Sequence, residues 1–154
     1  MALGVALTVA LTMGGCSRKP VYNCFASTSV EGWERNDTLT LGLGPVDLTG
    51  RYDETLALRA TTLYPFTSLT IIVEQQVRVA GQSSLTPLRT DTICCRLTDA
   101  EGTPLGPGTN YHQYTFPLTS LRLAQGDSIA VRIHHFMKRE LLPGIIDIGL
   151  IAAR

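Results

Sequence analysis

The chain has 154 residues, with 13 basic and 13 acidic side chains and a formal net charge of zero at pH 7. Because it has no basic surplus to neutralise phosphates, nucleic-acid binding is disfavoured. No apolar run reaches the roughly 20 residues that a membrane-spanning helix needs, and the length fits one domain with its own core.

The first predicted element is an uncharged segment, residues 2–15, which ends directly before Cys16. Its length matches the apolar part of a secretory signal, and two glycines before a cysteine fit the cleavage site of a bacterial lipoprotein. In such proteins the thiol is alkylated with diacylglycerol, the chain is cut before the cysteine, and the new amine receives an acyl chain such as palmitate. We therefore predict a signal peptide at 1–15, then lipidated Cys16 and its tether at 16–20.

The alternative for this segment is an apolar strand with an ordinary buried Cys16. The abrupt change to Ser17-Arg18-Lys19-Pro20 favours a tether, because polar residues and a proline do not suit a strand. Two or more acyl chains hold a protein on a membrane stably, whereas one does not.

Residues 21–154 are predicted to form one β-sandwich domain, because hydrophobic and polar residues alternate with a period of two. This pattern is typical of strands with one wet face, a condition that antiparallel sheets tolerate. The alternating runs are 38–43, 55–61, 69–79 and 129–137, and two further strands are predicted at 91–98 and 145–152. Residues 137–142 could form a single helical turn, which Pro143-Gly144 would end. We expect an all-β, jelly-roll-like antiparallel sandwich of eight or nine strands.

The same alternation predicts which side chains face the core. The predicted inward residues are Leu39, Leu41, Leu43, Leu56, Leu58, Ala60, Leu69, Ile71, Val73, Val77, Val79, Ile129, Val131, Ile133, His135 and Met137.

Three cysteines remain if Cys16 is lipidated: Cys24, Cys94 and Cys95. Neighbours on a strand point to opposite faces, so one of Cys94 and Cys95 can face the core while the other reaches Cys24 in a disulfide. The favoured interpretation is that they are free thiols, buried as small hydrophobes, which is a common role for free cysteine. The spacing is a poor fit to zinc.

The sequence predicts no catalytic, metal or cofactor site. His134 and His135 should point to opposite faces, and no GxSxG motif places a nucleophilic serine. The acidic residues Asp53, Glu54, Asp99, Glu101 and Asp127 have the character of turn residues. Calcium held by Asp47, Asp53 and Glu54 is a weak alternative, because the spacing matches no EF-hand loop.

Glycan binding is the alternative function. Trp33 lies in Glu31-Gly32-Trp33-Glu34, a loop-like context in which the ring would be exposed and able to stack on a sugar. A lone Trp is more often a core or cap residue, so a position in the core is the favoured interpretation of Trp33.

Asp147 is unusual because it lies in the apolar strand IIDIGLIA. If it is buried, it needs a cationic partner, and Arg59, Arg132 and Arg139 are the candidates.

Two segments carry a resemblance to a known family: LRATTLYPF at 58–66 and LLPGIIDIG at 141–149. Further matching residues are Gly32-Trp33, Asn36-Asp37-Thr38-Leu39, Tyr52, Asp91-Thr92-Ile93, Leu97-Thr98-Asp99, Gly102 and Gly106-Pro107-Gly108. With the lipoprotein start they resemble the GldH family of gliding-motility lipoproteins of Bacteroidetes, over almost the whole mature chain.

The resemblance implies an envelope lipoprotein without enzymatic activity that is required for gliding and linked with the type IX secretion apparatus. Its partners would be the membrane, through the lipid on Cys16, and other envelope or secretion-machine proteins, contacted through exposed strand edges. Residues 17–20 are basic, whereas an acidic tract there is associated with surface display in this phylum. An outer-membrane position facing the periplasm is therefore expected.

Overall fold

The computed structural model describes residues 20–154. The predicted signal peptide at 1–15, Cys16 and the tether up to residue 19 lie outside the described residues, and Pro20 already begins the first strand.

Ten strands, all paired antiparallel, make up the described part of the chain. They are β1 (Pro20–Ser27), β2 (Trp33–Glu34), β3 (Leu39–Leu43), β4 (Gly50–Ala60), β5 (Ser68–Arg78), β6 (Thr86–Arg96), β7 (His112–Leu123), β8 (Ser128–His135), β9 (Leu141–Leu142) and β10 (Ile145–Ala153). The all-β class and the antiparallel sandwich are confirmed. Residues 20–154 include no helix that could cross a membrane.

Two four-stranded sheets form the body. The first sheet has the order β1-β10-β4-β7 and the second has the order β3-β8-β5-β6. The two remaining strands pair with each other, Trp33 opposite Leu142. This small sheet brings the number of strands to ten, where eight or nine were expected. It also corrects the predicted helical turn at 137–142, because Leu141 and Leu142 form β9 instead.

The core lies between the two large sheets, where the predicted inward faces of β3, β4, β5 and β8 meet. The fully buried members of these faces include Leu56, Leu58, Leu69, Ile71, Val73, Val131 and Ile133. Only Val79, which follows β5, departs from its predicted burial by being exposed.

The two ends of the sandwich differ. One end, named here the tether end, carries Pro20, Arg154 and the loops 44–49, 79–85 and 124–127. Asp127 joins these loops, because its carboxylate accepts hydrogen bonds from Ala80 N (3.0 Å) and Ala124 N (2.9 Å), and its carbonyl accepts one from Val46 N (2.8 Å). The opposite end, named the distal end, carries the loops 28–32, 61–67, 97–111 and 136–144.

Gly144 holds two distal loops together. Its φ is +83°, its carbonyl accepts a hydrogen bond from Thr61 N at 2.7 Å, and a Cβ at this position would overlap the backbone nitrogen of Tyr64. The left-handed conformation alone costs a non-glycine residue about 1–2 kcal/mol, and overpacking adds about 1–3 kcal/mol. We expect Gly144→Ala to lower the free energy of unfolding by about 2–4 kcal/mol in urea denaturation.

Gly102→Ala is the matched control for this prediction. Gly102 has a similar φ of +87°, but a Cβ there would meet open space. Its loss should therefore stop at the conformational cost of about 1–2 kcal/mol. Equal losses in the two variants would contradict the packing of Gly144 against Tyr64.

Candidate functional site

The three histidines lie apart in the fold. His112, on β7 of the first sheet, has its Nδ1 3.0 Å from Gly106 O. On β8 of the second sheet, His134 lies on the outer face and His135 faces the core, as the alternation predicted. Burial lowers the pKa of His135, and its Nδ1 accepts a hydrogen bond from Met137 N at 3.4 Å. These positions give no shared histidine site.

Trp33 is fully buried, which agrees with the favoured core position and not with the alternative of an exposed glycan-binding ring. The short β2–β9 sheet turns the indole inward, where it packs edge-on against His135 at a centroid distance of 5.3 Å. Its Nε1 donates a hydrogen bond to Asp37 O at 3.0 Å. Because no face of this ring reaches solvent, it cannot stack on a sugar.

Cys24, Cys94 and Cys95 are free thiols, which agrees with the favoured interpretation and not with the alternative of a Cys24 disulfide. Cys24 is on β1, an edge of the first sheet, whereas the cysteine pair is on β6, an edge of the second sheet on the other side of the sandwich. Cys95 faces the core, and burial raises its pKa to about 12. Cys94 is exposed.

Only some of the acidic residues predicted to lie in turns do so. Asp53 and Glu54 are in the middle of β4 and point to opposite faces of it, so they cannot wrap one calcium ion together with Asp47. In residues 20–154, no three His, Cys, Asp or Glu side chains are placed to hold a metal ion. Asp99 does cap a turn, accepting hydrogen bonds from Thr103 N (2.7 Å) and Glu101 N (3.1 Å).

An ion pair lies on the outer face of the first sheet. Asp147 on β10 is directly opposite Arg59 on β4. The Arg59 guanidinium donates two hydrogen bonds to the carboxylate, Nε to Oδ1 at 2.8 Å and Nη2 to Oδ2. The Asp147 side chain is 4% exposed and that of Arg59 is 36% exposed. Of the three predicted partners, Arg59 is therefore the one that satisfies the buried carboxylate, whose hydrogen bond also raises the pKa of Arg59.

Two aromatic rings flank this ion pair. The Arg59 guanidinium carbon is 5.2 Å from the centroid of Phe25 and 5.7 Å from that of Tyr111. Phe25 lies against the sheet because Gly149 beneath it has no side chain, and a Cβ there would overlap the ring. We name Phe25, Arg59, Tyr111, Asp147 and Gly149 the Arg59 platform.

A groove of about 250 Å³ runs beside the Arg59 platform. Its lining includes Asn23, Phe25, Ala57, Arg59, Thr115 and Ile151. Both charges of the platform are taken up by the Arg59–Asp147 pair, so neither is available as a free general acid or base. This surface offers aromatic rings on which a ligand can stack, and it offers the amide of Asn23 and the guanidinium of Arg59 for hydrogen bonding.

A second polar cluster lies inside the sandwich, between the sheets. Glu54 on β4 is 3% exposed and Gln75 on β5 is 1% exposed. Gln75 Nε2 donates a hydrogen bond to Glu54 Oε2 at 2.6 Å, while the Oε1 atom of each residue has no hydrogen-bond partner in the described structure. Burial raises the pKa of Glu54 to about 7, against the opposing effects of Gln75 and Arg89.

Arg89 on β6 acts on this interior cluster through its charge, which lowers the pKa of Glu54. Arg89 pairs with Asp91 and donates a hydrogen bond across to Thr119 on β7. The alternation of apolar residues does not indicate the cluster, because Glu54 next to Asp53 has the character of a turn residue in the sequence.

Comparison with known proteins gives one family and one curated relative. The sequence profile of the GldH lipoprotein family matches residues 20–151. The gliding motility lipoprotein GldH of Flavobacterium johnsoniae is 28% identical over 105 residues, covering 68% of this chain and 62% of that protein. The alignment thus spans less than two thirds of the relative's length.

Solved structures match the chain to different extents. A crystal structure of a Sulfurospirillum deleyianum protein has a TM-score of 0.50 at 9% identity, covering 86% of this chain and 98% of that one. A family GH115 4-O-methyl-α-glucuronidase with specificity for decorated arabinogalactans has a TM-score of 0.42 at 16% identity, covering 97% of this chain and 19% of that one.

Proposed function

The chain belongs to the GldH lipoprotein family, and from this we propose that it is a lipid-anchored, non-catalytic assembly component of the gliding-motility and type IX secretion machinery. It is thereby a gliding-motility-associated lipoprotein of the cell envelope. The proposal extends to its position, on the outer membrane and facing the periplasm, and to Cys16 as the lipidated residue.

The observation that carries the proposal is the position of the family match. It begins at residue 20, shortly after Cys16, and extends to residue 151. The folded body is therefore family domain, and the cysteine that follows the signal-like segment lies directly before it. The chemistry of the body supports a non-catalytic role, because the Arg59 platform has its charges paired and burial holds the Cys95 thiol protonated.

Partner proteins are proposed to bind at exposed strand edges. β6 and β7 are the edge strands on one side of the sandwich. Each contains a proline, Pro87 and Pro117, which limits pairing along part of its edge. The stretch from Leu88 to Arg96 of β6 has no proline and is long enough to accept an added strand.

Lipidation is tested by replacing Cys16. The chain is expressed in a Bacteroidetes host and labelled with an alkyne analogue of palmitate. We expect label on the native chain and none on Cys16→Ser, with loss of the protein from the membrane fraction, since the acyl chains supply the attachment. Cys94→Ser is the control, because it removes an exposed thiol of the folded body and should leave the label unchanged. Label that persists in Cys16→Ser would contradict the anchor.

The assembly role is tested by crosslinking the lipidated protein in intact envelopes and purifying it. Recovery of named gliding or secretion-machine subunits is expected. Recovery of polysaccharide without such subunits would contradict the assembly role and favour the glycan-binding alternative, for which the groove beside the Arg59 platform, and not Trp33, offers the exposed ring and polar groups.

A further inference from the structure

The tether end of the sandwich carries four exposed arginines: Arg51, Arg78, Arg122 and Arg154. Arg51 and Arg122 lie directly opposite each other in the first sheet, and the side chain of Arg154, which follows β10, lies beside Gly50. Arg78 ends β5 on the second sheet, opposite Ser128. Arg51 and Arg122 place like charges opposite one another on neighbouring strands, which is unfavourable. Asp53, 3.6 Å from Arg51, offsets part of this repulsion, and a further negatively charged partner would offset more of it.

Exposed apolar side chains lie among these arginines. Leu48, Val79 and Leu85 are in or next to the loops of the tether end, and each is substantially exposed. Hydrogen bonds of Asp127 with Val46 and Ala80 hold the backbones of these loops together, so the positions of the apolar residues are constrained. A surface that combines leucines with arginines is suited to a membrane interface, where apolar groups enter the acyl boundary and guanidinium groups stay among the headgroups.

The tether end has three acidic residues, Asp47, Asp53 and Asp127, against its four arginines, which leaves a small positive balance. The carboxylate of Asp127 is used by two backbone N–H groups. Asp53 accepts a hydrogen bond from Ser120 and lies 3.6 Å from Arg51, and Asp47 is exposed. The distal end has the opposite balance, with the charged residues Glu31, Glu34, Asp37, Asp99, Glu101 and Glu140 against Arg35, Arg96, Lys138 and Arg139.

The length of the tether determines which end meets the membrane. Only Ser17, Arg18 and Lys19 separate Cys16 from Pro20, where β1 begins. A fully extended chain advances about 3.3–3.6 Å per residue, so Pro20 lies within about 14 Å of an acylated Cys16. Arg18 and Lys19 add two positive charges in the same region.

We propose that the tether end lies directly on the membrane, with its arginines on anionic lipid headgroups and its exposed leucines at the acyl boundary. This inference rests on the proposed lipid anchor at Cys16. It gives the domain a fixed orientation, in which the strands run away from the bilayer and the distal end points toward other proteins.

The test measures how deeply each end lies in the bilayer. The lipidated protein, carrying Cys94→Ser so that its exposed thiol does not react, is labelled with a fluorophore at Leu48→Cys or at Leu63→Cys. It is then placed in phosphatidylcholine vesicles with or without phosphatidylglycerol. Headgroup-spin-labelled lipids should quench the label at position 48 at least about twofold more than the label at distal position 63, and phosphatidylglycerol should increase the difference.

Charge reversal separates headgroup binding from simple tethering. Arg51→Glu with Arg122→Glu should remove most of the extra quenching at position 48 in anionic vesicles. Arg96→Glu with Arg139→Glu, which reverses two exposed arginines of the distal end, should not. Equal quenching at the two positions, or no response to phosphatidylglycerol, would overturn the inference. Flotation with the vesicles reports separately on the anchor, so its loss would contradict the proposed function instead.

Discussion

Glu54→Gln is expected to raise the free energy of unfolding by about 3 kcal/mol near pH 8 and to change it little near pH 4. Burial between the sheets raises the pKa of this carboxyl from 4.5 to about 7. The folded state therefore binds the proton more tightly than the unfolded state does. The stability that the protonated carboxyl provides is complete below about pH 4.5 and is lost as the pH rises to about 7.

Above that range the native protein has a buried, ionised Glu54, whereas glutamine at this position stays neutral. The glutamine has almost the same shape and keeps a hydrogen bond with Gln75. The measurement is the free energy of unfolding in urea, from about pH 4 to about pH 8, for both proteins. The curve of the native protein should fall with rising pH relative to that of the variant.

Glu74→Gln is the matched control for the buried carboxyl. Glu74 lies one residue before Gln75 on the same strand, but it faces outward and makes a 3.7 Å ion pair with Arg132 on the surface. Exposed pairs of this kind contribute about 0–1 kcal/mol. Parallel pH profiles for native protein and Glu54→Gln would show that Glu54 is not held protonated by burial.

The regular strands could be predicted because most of their inward positions are apolar, with Glu54, Gln75 and His135 as exceptions. β3, β4, β5 and β8 each place a run of Leu, Ile or Val on the core side, which leaves one choice of face. β7 does not follow this rule. Opposite the step from Glu54 to Thr55 it has a bulge, so its inward residues change from even numbers, such as Tyr114, to odd numbers, such as Leu121. A period-two pattern cannot be followed across such an insertion.

The small sheet and the aromatic residues needed tertiary information. A two-residue strand has too few residues to show a period, so the sequence does not identify β2 and leaves Trp33 open between an exposed loop position and a core position. Asp147 was identified from its apolar surroundings, but the choice of Arg59 over Arg132 or Arg139 depends on the register between β4 and β10. Phe25 and Tyr111 join this pair only because Gly149 leaves room and the loop before β7 returns to the sheet.

Arg59→Met is expected to lower the free energy of unfolding by about 3 kcal/mol or more, because it leaves the carboxylate of Asp147 buried without a partner. The side chains of the two residues differ in exposure, 36% for Arg59 and 4% for Asp147. Asp147→Asn should therefore cost less, about 1 kcal/mol, since Arg59 can turn toward water and the asparagine carbonyl can still accept from it. The double variant should be more stable than Arg59→Met alone, because the uncompensated charge is gone.

Arg51→Met is the control that separates burial from charge pairing. Arg51 lies on the same strand and the same face of the first sheet, and it is 3.6 Å from the carboxylate of Asp53. Both of these side chains are well exposed, at 72% and 40%, so water can replace the lost partner. Urea denaturation should give a change within about 1 kcal/mol for this variant. Equal losses of stability in Arg59→Met and Arg51→Met would mean that the Arg59–Asp147 pair is an ordinary surface ion pair. The Arg59 platform would then lack the buried carboxylate that positions its guanidinium between the rings of Phe25 and Tyr111.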